Sequence, residues 1–356
     1  MQPDASPNSA TWIARRDGGI LVTGAAGFVG TRVVDCLLRL GFTRVRCFVR
    51  PGGDRGRLAA VLEQYGASAG QVIEGNLLSP GDCERAAVGV RVVYHLVAGR
   101  GKSFPACFQG SVVTTRNLLA AVTQGGALQR FVNVSSFAVY SNFDLPRGAV
   151  WDETCPLEVN LAERHSAYAY GKLKQDELVQ TWHQRHGLPY TLVRPGIVFG
   201  PGKKMIPGFV GMDTFGFFMH LGGGNPLPLT YVDNCAEAIV LAGLIPGVEG
   251  EAFNVVDDNL PTSRAFLRQY KRTVRRFRSL PVPYWLAYRL CHFWERYAVT
   301  SKGQVPPVFN RRMCAFAWKG HRYANHKLKE RLGWSCRVPM DEALARYFTY
   351  QKDGNA

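Results

Sequence analysis

No C-x-x-C pair occurs in this 356-residue chain, and its nine cysteines, at 36, 47, 83, 107, 155, 235, 291, 314 and 336, follow no regular spacing. That excludes the disulfide framework of a small secreted domain and a compact zinc-binding knuckle, and it reads as reduced thiols in a cytoplasmic protein with no metal site. Apolar runs of bilayer-crossing length are missing too, and residues 1–16 lack the apolar stretch of a secretory signal, so they read as a flexible tail. Acidic residues are scarce at one end. Residues 259–356 carry 20 Lys and Arg against 5 Asp and Glu, which is +15 of the net +16. Such asymmetry points to an acidic surface or an anionic ligand. No nucleic-acid motif accompanies it, which sets DNA and RNA aside.

What is present is a glycine turn between a strand and a helix. The buried-strand run Ile20-Leu21-Val22 leads into Gly24-Ala25-Ala26-Gly27-Phe28-Val29-Gly30, and Thr31 to Leu40 has the apolar spacing of a helix. Gly24 permits a tight turn, Gly27 lets backbone approach a pyrophosphate, and Gly30 lets the helix pack close to the strand; the helix N-terminus attracts phosphate charge. Arg44 to Val49 reads as a second buried strand that ends at Arg50, with Arg55 and Arg57 following. An acid at that end would accept from the ribose 2′-hydroxyl of a dinucleotide, whereas a guanidinium matches a 2′-phosphate, so Arg50 favours NADP over NAD.

Further strands are expected over 71–77, 92–97 and 131–134, alternating with helical segments, which implies a doubly wound parallel sheet. His95 lies inside the fourth of these apolar runs and reads as a packed core residue rather than a proton shuttle. The fifth runs into Ser135-Ser136, at the strand edge where such folds bind ligands. Tyr168 and Lys172 stand four apart, which on a helix puts them on one face, where the ammonium can stabilise a tyrosinate.

In order, Thr23 to Gly30, Tyr94-His95-Leu96-Val97-Ala98-Gly99, Ser135-Ser136, Tyr168 to Lys172 and Arg194-Pro195-Gly196-Ile197-Val198-Phe199-Gly200-Pro201-Gly202 together resemble the extended short-chain dehydrogenase/reductase (epimerase/dehydratase) superfamily. Tyr231 to Asn234, Phe253-Asn254-Val255 and Leu332-Gly333-Trp334 extend the resemblance to about residues 17–350. It implies a Rossmann domain over 17–200 with 231–257 returning to it, and a substrate-binding lobe from 201–230 and 258–356. Catalytic roles follow for Ser136, Tyr168 and Lys172: Tyr168 as acid/base on the substrate oxygen, Ser136 bonded to that oxygen, and Lys172 holding the nicotinamide ribose. The same resemblance puts the cofactor against Gly24, Ala26, Gly27, Phe28, Val29 and Gly30, against Arg50, Asn76 and Leu77, and against Val97, Ala98, Gly99, Pro195 and Val198.

Two departures from the superfamily pattern bear on the site. Asn76 stands where many relatives have Asp facing the adenine amino group, and Ser111 stands where an asparagine often holds a relay water. A third residue selects the branch. Ile197 replaces the Asn that binds nucleotide diphosphate in sugar-nucleotide epimerases and dehydratases, and the segment is more similar to 3β-hydroxysteroid dehydrogenases, sterol dehydrogenases and dihydroflavonol-type reductases. The loop Arg100 to Phe104 and the Phe-rich segment Met205 to Leu221, with Phe209, Phe215, Phe217 and Phe218, are then expected to line a pocket for an apolar substrate. The expected activity is NADP-dependent, with NAD as the other cofactor, interconverting a secondary alcohol and a ketone; a sugar-nucleotide epimerase or dehydratase with tightly held cofactor is the alternative.

Arg264 to Arg278 spaces Phe266, Leu267, Tyr270, Val274 and Phe277 on one helical face among basic residues, and an aromatic stretch, Pro283 to Trp294, follows. This suits peripheral contact of 264–294 with anionic lipid. The partners expected are therefore a small-molecule substrate, a membrane surface and a second copy of the chain in a homodimer.

Overall fold

The computed structural model describes residues 12–66, 70–99, 101, 103–203, 206–214, 216–302 and 304–354. Its centre is a seven-stranded sheet: β1 (Gly19–Thr23), β2 (Val45–Val49), β3 (Gly70–Glu74), β4 (Val90–His95), β5 (Arg130–Val134), β6 (Tyr190–Pro195) and β7 (Ala252–Val255), in the order β7-β6-β5-β4-β1-β2-β3. Every pairing is parallel. The order reverses between β1 and β4, and a doubly wound sheet binds its ligands at the carboxyl ends of the strands at such a point. Both faces are covered along the inner strands, which is why these read as largely apolar runs rather than alternating ones, whereas the edge strand β3 has no buried residue. Ile20 and Val22 of β1 face α1 (Gly30–Arg39) and α4 (Val232–Leu244), while Leu21 faces the helix Pro80–Ala87, α2 (Thr114–Gln124) and α3 (Ala167–His186).

The expected third strand stops short, at Glu74, so Asn76 and Leu77 lie in the following turn. The expected tail is shorter than residues 1–16. Trp12 stacks on Phe42 at 5.6 Å, the Ile13 N–H donates to the Leu244 carbonyl at 3.0 Å, and Ala14 is buried, because these apolar side chains close the edge of the core beneath α1 and α4. Residues 1–11 lie outside the described residues.

Beyond the sheet, strands Gly211–Thr214, Phe217–His220 and Ser279–Pro281 form a small second sheet. It packs with α5 (Ser263–Thr273), α6 (Tyr284–Thr300), α7 (Arg311–Trp318) and, after α8 (His326–Leu332), α9 (Met340–Asp353). Two expectations are corrected here. The helix over 264–278 ends at Thr273, because Ser279–Pro281 is drawn into strand pairing with Phe217–His220. Its apolar face is also unavailable to lipid: Phe266, Leu267 and Tyr270 are buried against Phe218, Tyr347 and Phe348. The division at residue 258 is not clean either, since Leu328, Leu332 and Trp334 join the core of the main sheet and the Trp334 indole N–H donates to the Asn234 carbonyl at 3.0 Å.

His95, the last residue of β4, is wholly buried beside Thr23, its neighbour in register on β1. The Thr115 hydroxyl donates to the Ser111 carbonyl (2.5 Å), so toward His95 Nε2 (2.8 Å) Thr115 can only accept. The ring therefore carries its hydrogen on Nε2, and Nδ1 accepts from Thr23 Oγ1 at 2.7 Å. Burial, with the Lys172 charge adding to it, lowers the imidazole from 6.5 to about 3. Above pH 6.5 the ring is neutral in folded and unfolded chains alike; as pH falls toward 3 only the unfolded chain takes up the proton, so stability is lost at up to about 1.4 kcal/mol per pH unit. His95→Gln should therefore flatten the pH dependence of the urea midpoint across that window by about one proton. Parallel slopes for the two proteins would show that His95 protonates in the folded state.

Candidate active site

The glycine turn has the geometry its composition implies. Gly24 has φ +72°, a region costly for residues with a Cβ, and the Gly27 N–H closes the turn onto the Gly24 carbonyl at 2.9 Å. A Cβ on Gly30 would sit 2.1 Å from the Gly24 carbonyl oxygen, so only glycine lets α1 start this close to β1. Thr31 fastens the turn from within the helix, donating to the carbonyls of Ala25 (3.1 Å) and Gly27 (3.0 Å). No side chain caps the start of α1, and its first turn holds no acid. Apart from the Thr31 N–H, which donates to the Gly27 carbonyl at 3.0 Å, the helix start and its dipole are thus left to an anion, with Ala26, Phe28 and Val29 half-buried around the turn. This cradle fits the pyrophosphate of a dinucleotide.

The strand ends hold the remaining candidates. Arg50 follows β2 and is exposed, whereas Arg55 is paired with Glu74 and Arg57 donates to the Gly202 carbonyl at 3.3 Å. Asn76 spends one side-chain carbonyl lone pair on the Leu78 N–H at 3.0 Å, leaving the other for a ligand. Leu77 is buried, and its carbonyl accepts from Asn117 Nδ2 at 3.0 Å. After β4, Val97 and Ala98 are half-buried, and the Gly99 N–H donates to Ser111 Oγ at 2.9 Å. Ser111 thus holds backbone directly, within the π-helical turn Gln109–Val113. Pro195 ends β6, and Val198 lies in Ile197–Phe199, which pairs with Leu229–Tyr231.

The two serines after β5 separate cleanly. Ser135 Oγ donates to the buried Asp176 carboxylate at 2.8 Å and so belongs to the core. Ser136 is half-buried, and its oxygen accepts the Ala138 N–H at 3.2 Å, which leaves its O–H for a ligand. Tyr168 lies in the first turn of α3, which Ser166 caps, and is 38% exposed. Lys172, one turn further along, is only 2% exposed; its ammonium donates to the Val134 carbonyl and to Gln175 Oε1 at 2.9 Å. Gln175 Nε2 in turn donates to Thr115 Oγ1 (2.7 Å) and to the Val97 carbonyl (3.2 Å). A line of hydrogen bonds therefore runs from Lys172 through Gln175 and Thr115 to His95. Asp176 accepts from Ser135, Asn133 and Arg194, and burial raises its carboxyl against the opposing pull of Arg194. The sequence reading missed Gln175 and Asp176, although both lie three and four residues after Lys172 on one helical face.

A cavity of about 400 Å³ opens past the carboxyl end of β6. Ile197, Val198, Phe209, Met212, Met313, Phe316 and Trp318 line it. Its few polar side chains are engaged: Lys203 donates to the Val198 carbonyl at 3.0 Å, and Asn310 caps α7 through the Met313 N–H at 2.8 Å. Of the expected segment Met205 to Leu221, Pro207, Gly208, Phe209, Gly211 and Met212 are part of this wall, and Phe209 is the one of its described phenylalanines that is. Phe218 is core, Phe217 is exposed, and Phe104 packs edge-on against Tyr170 at 5.4 Å. Arg100, Lys102, Met205 and Phe215 lie outside the described residues. The wall contributed by residues 308–318 carried no motif in the sequence.

Comparison with known proteins gives the family and the fold. The sterol-4-alpha-carboxylate 3-dehydrogenase, decarboxylating, of Mus musculus is 23% identical over 338 residues, covering 91% of this chain and 88% of its own length. The dTDP-glucose 4,6-dehydratase of Streptomyces niveus is 29% identical over 258 residues, covering 66% of this chain and 71% of its own. Among solved structures, the UDP-glucuronic acid 4-epimerase of Bacillus cereus in complex with UDP-glucuronic acid and NAD superimposes with a TM-score of 0.68 at 21% identity, covering 94% of this chain and 99% of that one. The model of the NAD dependent epimerase/dehydratase family matches residues 20–255, from β1 to the end of β7, and the chain belongs to that family.

Proposed function

We propose that this member of the extended short-chain dehydrogenase/reductase superfamily is an NADP-dependent oxidoreductase that interconverts a secondary alcohol and a ketone on a largely apolar substrate. The observation that carries this reading is the cavity wall. Its side chains are almost all hydrocarbon or aromatic and its polar groups are spent on the protein, so it offers an apolar ring system a dry surface and a sugar diphosphate few partners. Ile197, which cannot hydrogen-bond through its side chain, is part of that wall. The sterol dehydrogenase relative supports the same class; the dehydratase relative supports the alternative, an epimerase or dehydratase that recycles a tightly held cofactor.

In this reading the glycine turn and the N-terminus of α1 hold the pyrophosphate, and Arg50 meets the 2′-phosphate. When bound, the nicotinamide supplies or accepts the hydride. Every other step falls to the chain. Ser136 and Tyr168 donate hydrogen bonds to the substrate oxygen, which fixes the carbonyl, and in the reducing direction Tyr168 Oη gives that oxygen its proton. Lys172, buried and aimed by the Val134 carbonyl and Gln175, orients the ribose and favours the tyrosinate left behind.

Tyr168→Phe should lower kcat by about 10²-fold or more with cofactor affinity nearly unchanged, because the hydroxyl handles only the proton. Lys172→Ala should damage both. Supplying excess NADPH with a panel of apolar ketones decides between the two readings: stoichiometric NADPH consumption supports the reductase, and turnover of a sugar nucleotide without consumption supports the alternative.

Cofactor choice is tested separately. Arg50→Asp should weaken NADPH binding by about 1.5–3 kcal/mol, the range for a lost charge-assisted contact, and shift preference toward NADH. An unchanged ratio of the two dissociation constants would remove Arg50 from the cofactor site.

A further inference from the structure

With the apolar face of α5 buried, the basic quarter of the chain still presents an apolar surface, and it lies on the next helix. α6 buries Ala287, Cys291 and Ala298 inward. Its outer face exposes Leu290, Phe293, Trp294 and Tyr297, with Phe293 at 66%, and Trp285 is exposed at its start. Water is a poor partner for that many large apolar groups on one helix, and clustered exposure of this kind marks a docking surface.

Two features identify what docks. The exposed guanidinium groups of Arg272, Arg275, Arg276 and Arg278 lie in the segment leading to α6, and Arg289 and Arg296 stand on α6 itself, Arg289 over the Trp285 ring at 5.7 Å. A second copy of the chain would bring the same positive charge to the same apolar face, whereas an anionic lipid surface answers both the charge and the hydrocarbon. The second feature is the cavity. Cys291 on the inner side of α6 lines it, and so do Val308 and Phe309, which are also exposed. Trp294 ties that rim to the outer face of α6, its indole N–H donating to the Pro306 carbonyl at 3.2 Å and its ring 5.7 Å from Phe309. Docking side and cavity rim are one continuous surface.

We infer that α6 and the 304–309 rim lie on an anionic membrane surface, with Trp285, Phe293 and Tyr297 in the headgroup region, the arginines on the lipid charges and the cavity rim turned toward the bilayer. No spanning segment is involved: among the described residues no helix is long and apolar enough to cross a membrane. This docking is independent of the redox chemistry proposed above, and it survives if the substrate class proves different.

The test uses the full chain and vesicles of phosphatidylcholine alone or mixed with phosphatidylglycerol. Expected are sedimentation with the mixed vesicles only, release by salt, since exposed attraction is screened within about 10 Å at 0.1 M, and a blue shift of tryptophan emission. Phe293→Asp with Tyr297→Asp, and separately Arg275→Glu with Arg276→Glu, should each weaken partitioning by about tenfold or more. All four side chains are surface residues outside the proposed catalytic and cofactor sites, so unchanged circular dichroism and NADPH binding certify folded variants. Equal sedimentation with both vesicle types, binding unaffected by the α6 pair, or no vesicle binding with self-association that the α6 pair abolishes would each overturn the inference.

Discussion

A buried ammonium is costly unless its donors are spent, and the centre of this protein is built around meeting that cost for Lys172. The Val134 carbonyl at the end of β5 and the Gln175 amide one turn along α3 accept its hydrogens, and Gln175 is itself held by Thr115 and the Val97 carbonyl. Through Thr115 the line reaches His95 and then Thr23, so β1, β4, β5, α2 and α3 are fixed to one another by a set of polar contacts whose members are nearly all buried. His95 can belong to it only as a neutral ring, which its low pKa secures. Such a network holds the ammonium at a fixed place in the core. Ser111, which stands where relatives often place a relay asparagine, instead anchors the Gly99 backbone and accepts Thr115 through its carbonyl.

A second buried set lies beside the first. Asp176 collects Ser135, Asn133 and Arg194; Arg194 continues to the Tyr140 hydroxyl at 3.0 Å, and Tyr140 donates to Asn254 at 2.8 Å. Burial drives Tyr140 up to about 12, so it remains a neutral phenol and a structural one. The consequence for the site is selective. Adjacent serines and two tyrosines near the carboxyl edge of the sheet are divided into a buried pair, Ser135 and Tyr140, that hold the strands together, and a more exposed pair, Ser136 and Tyr168, to which the proposed catalytic roles fall.

The lobe follows a different physical rule from the sheet. It is held by aromatic packing: Phe199, Phe266, Tyr270, Tyr347 and Phe348 meet edge-to-face, tilted or, for Phe266 and Tyr270, stacked, at centroid distances of 5.4 to 6.4 Å. The family match covers residues 20–255 and so ends before most of this lobe.

The sequence by itself determined the glycine turn, the first five strands, the parallel doubly wound class and the placing of Tyr168 and Lys172 one turn apart on one helix. Each rests on local spacing: a period set by burial on both faces, a turn that only glycine permits, a four-residue step along one helix. It also placed His95 in the core, since a histidine in a wholly apolar run has no solvent to titrate against. Tertiary structure alone decided the rest. Which of α5 and α6 turns its apolar face outward is invisible to periodicity, because both have such a face and only packing against α9 buries the first. The cavity wall at 308–318, the return of Trp334 to the main core and the packing of Trp12 likewise depend on residues far apart in the chain meeting in space. Gln175 and Asp176 were within reach of helical spacing, but their partners Thr115, Val97, Ser135 and Arg194 come from other strands and helices, and a polar side chain has a role in a core only through the partner that satisfies it.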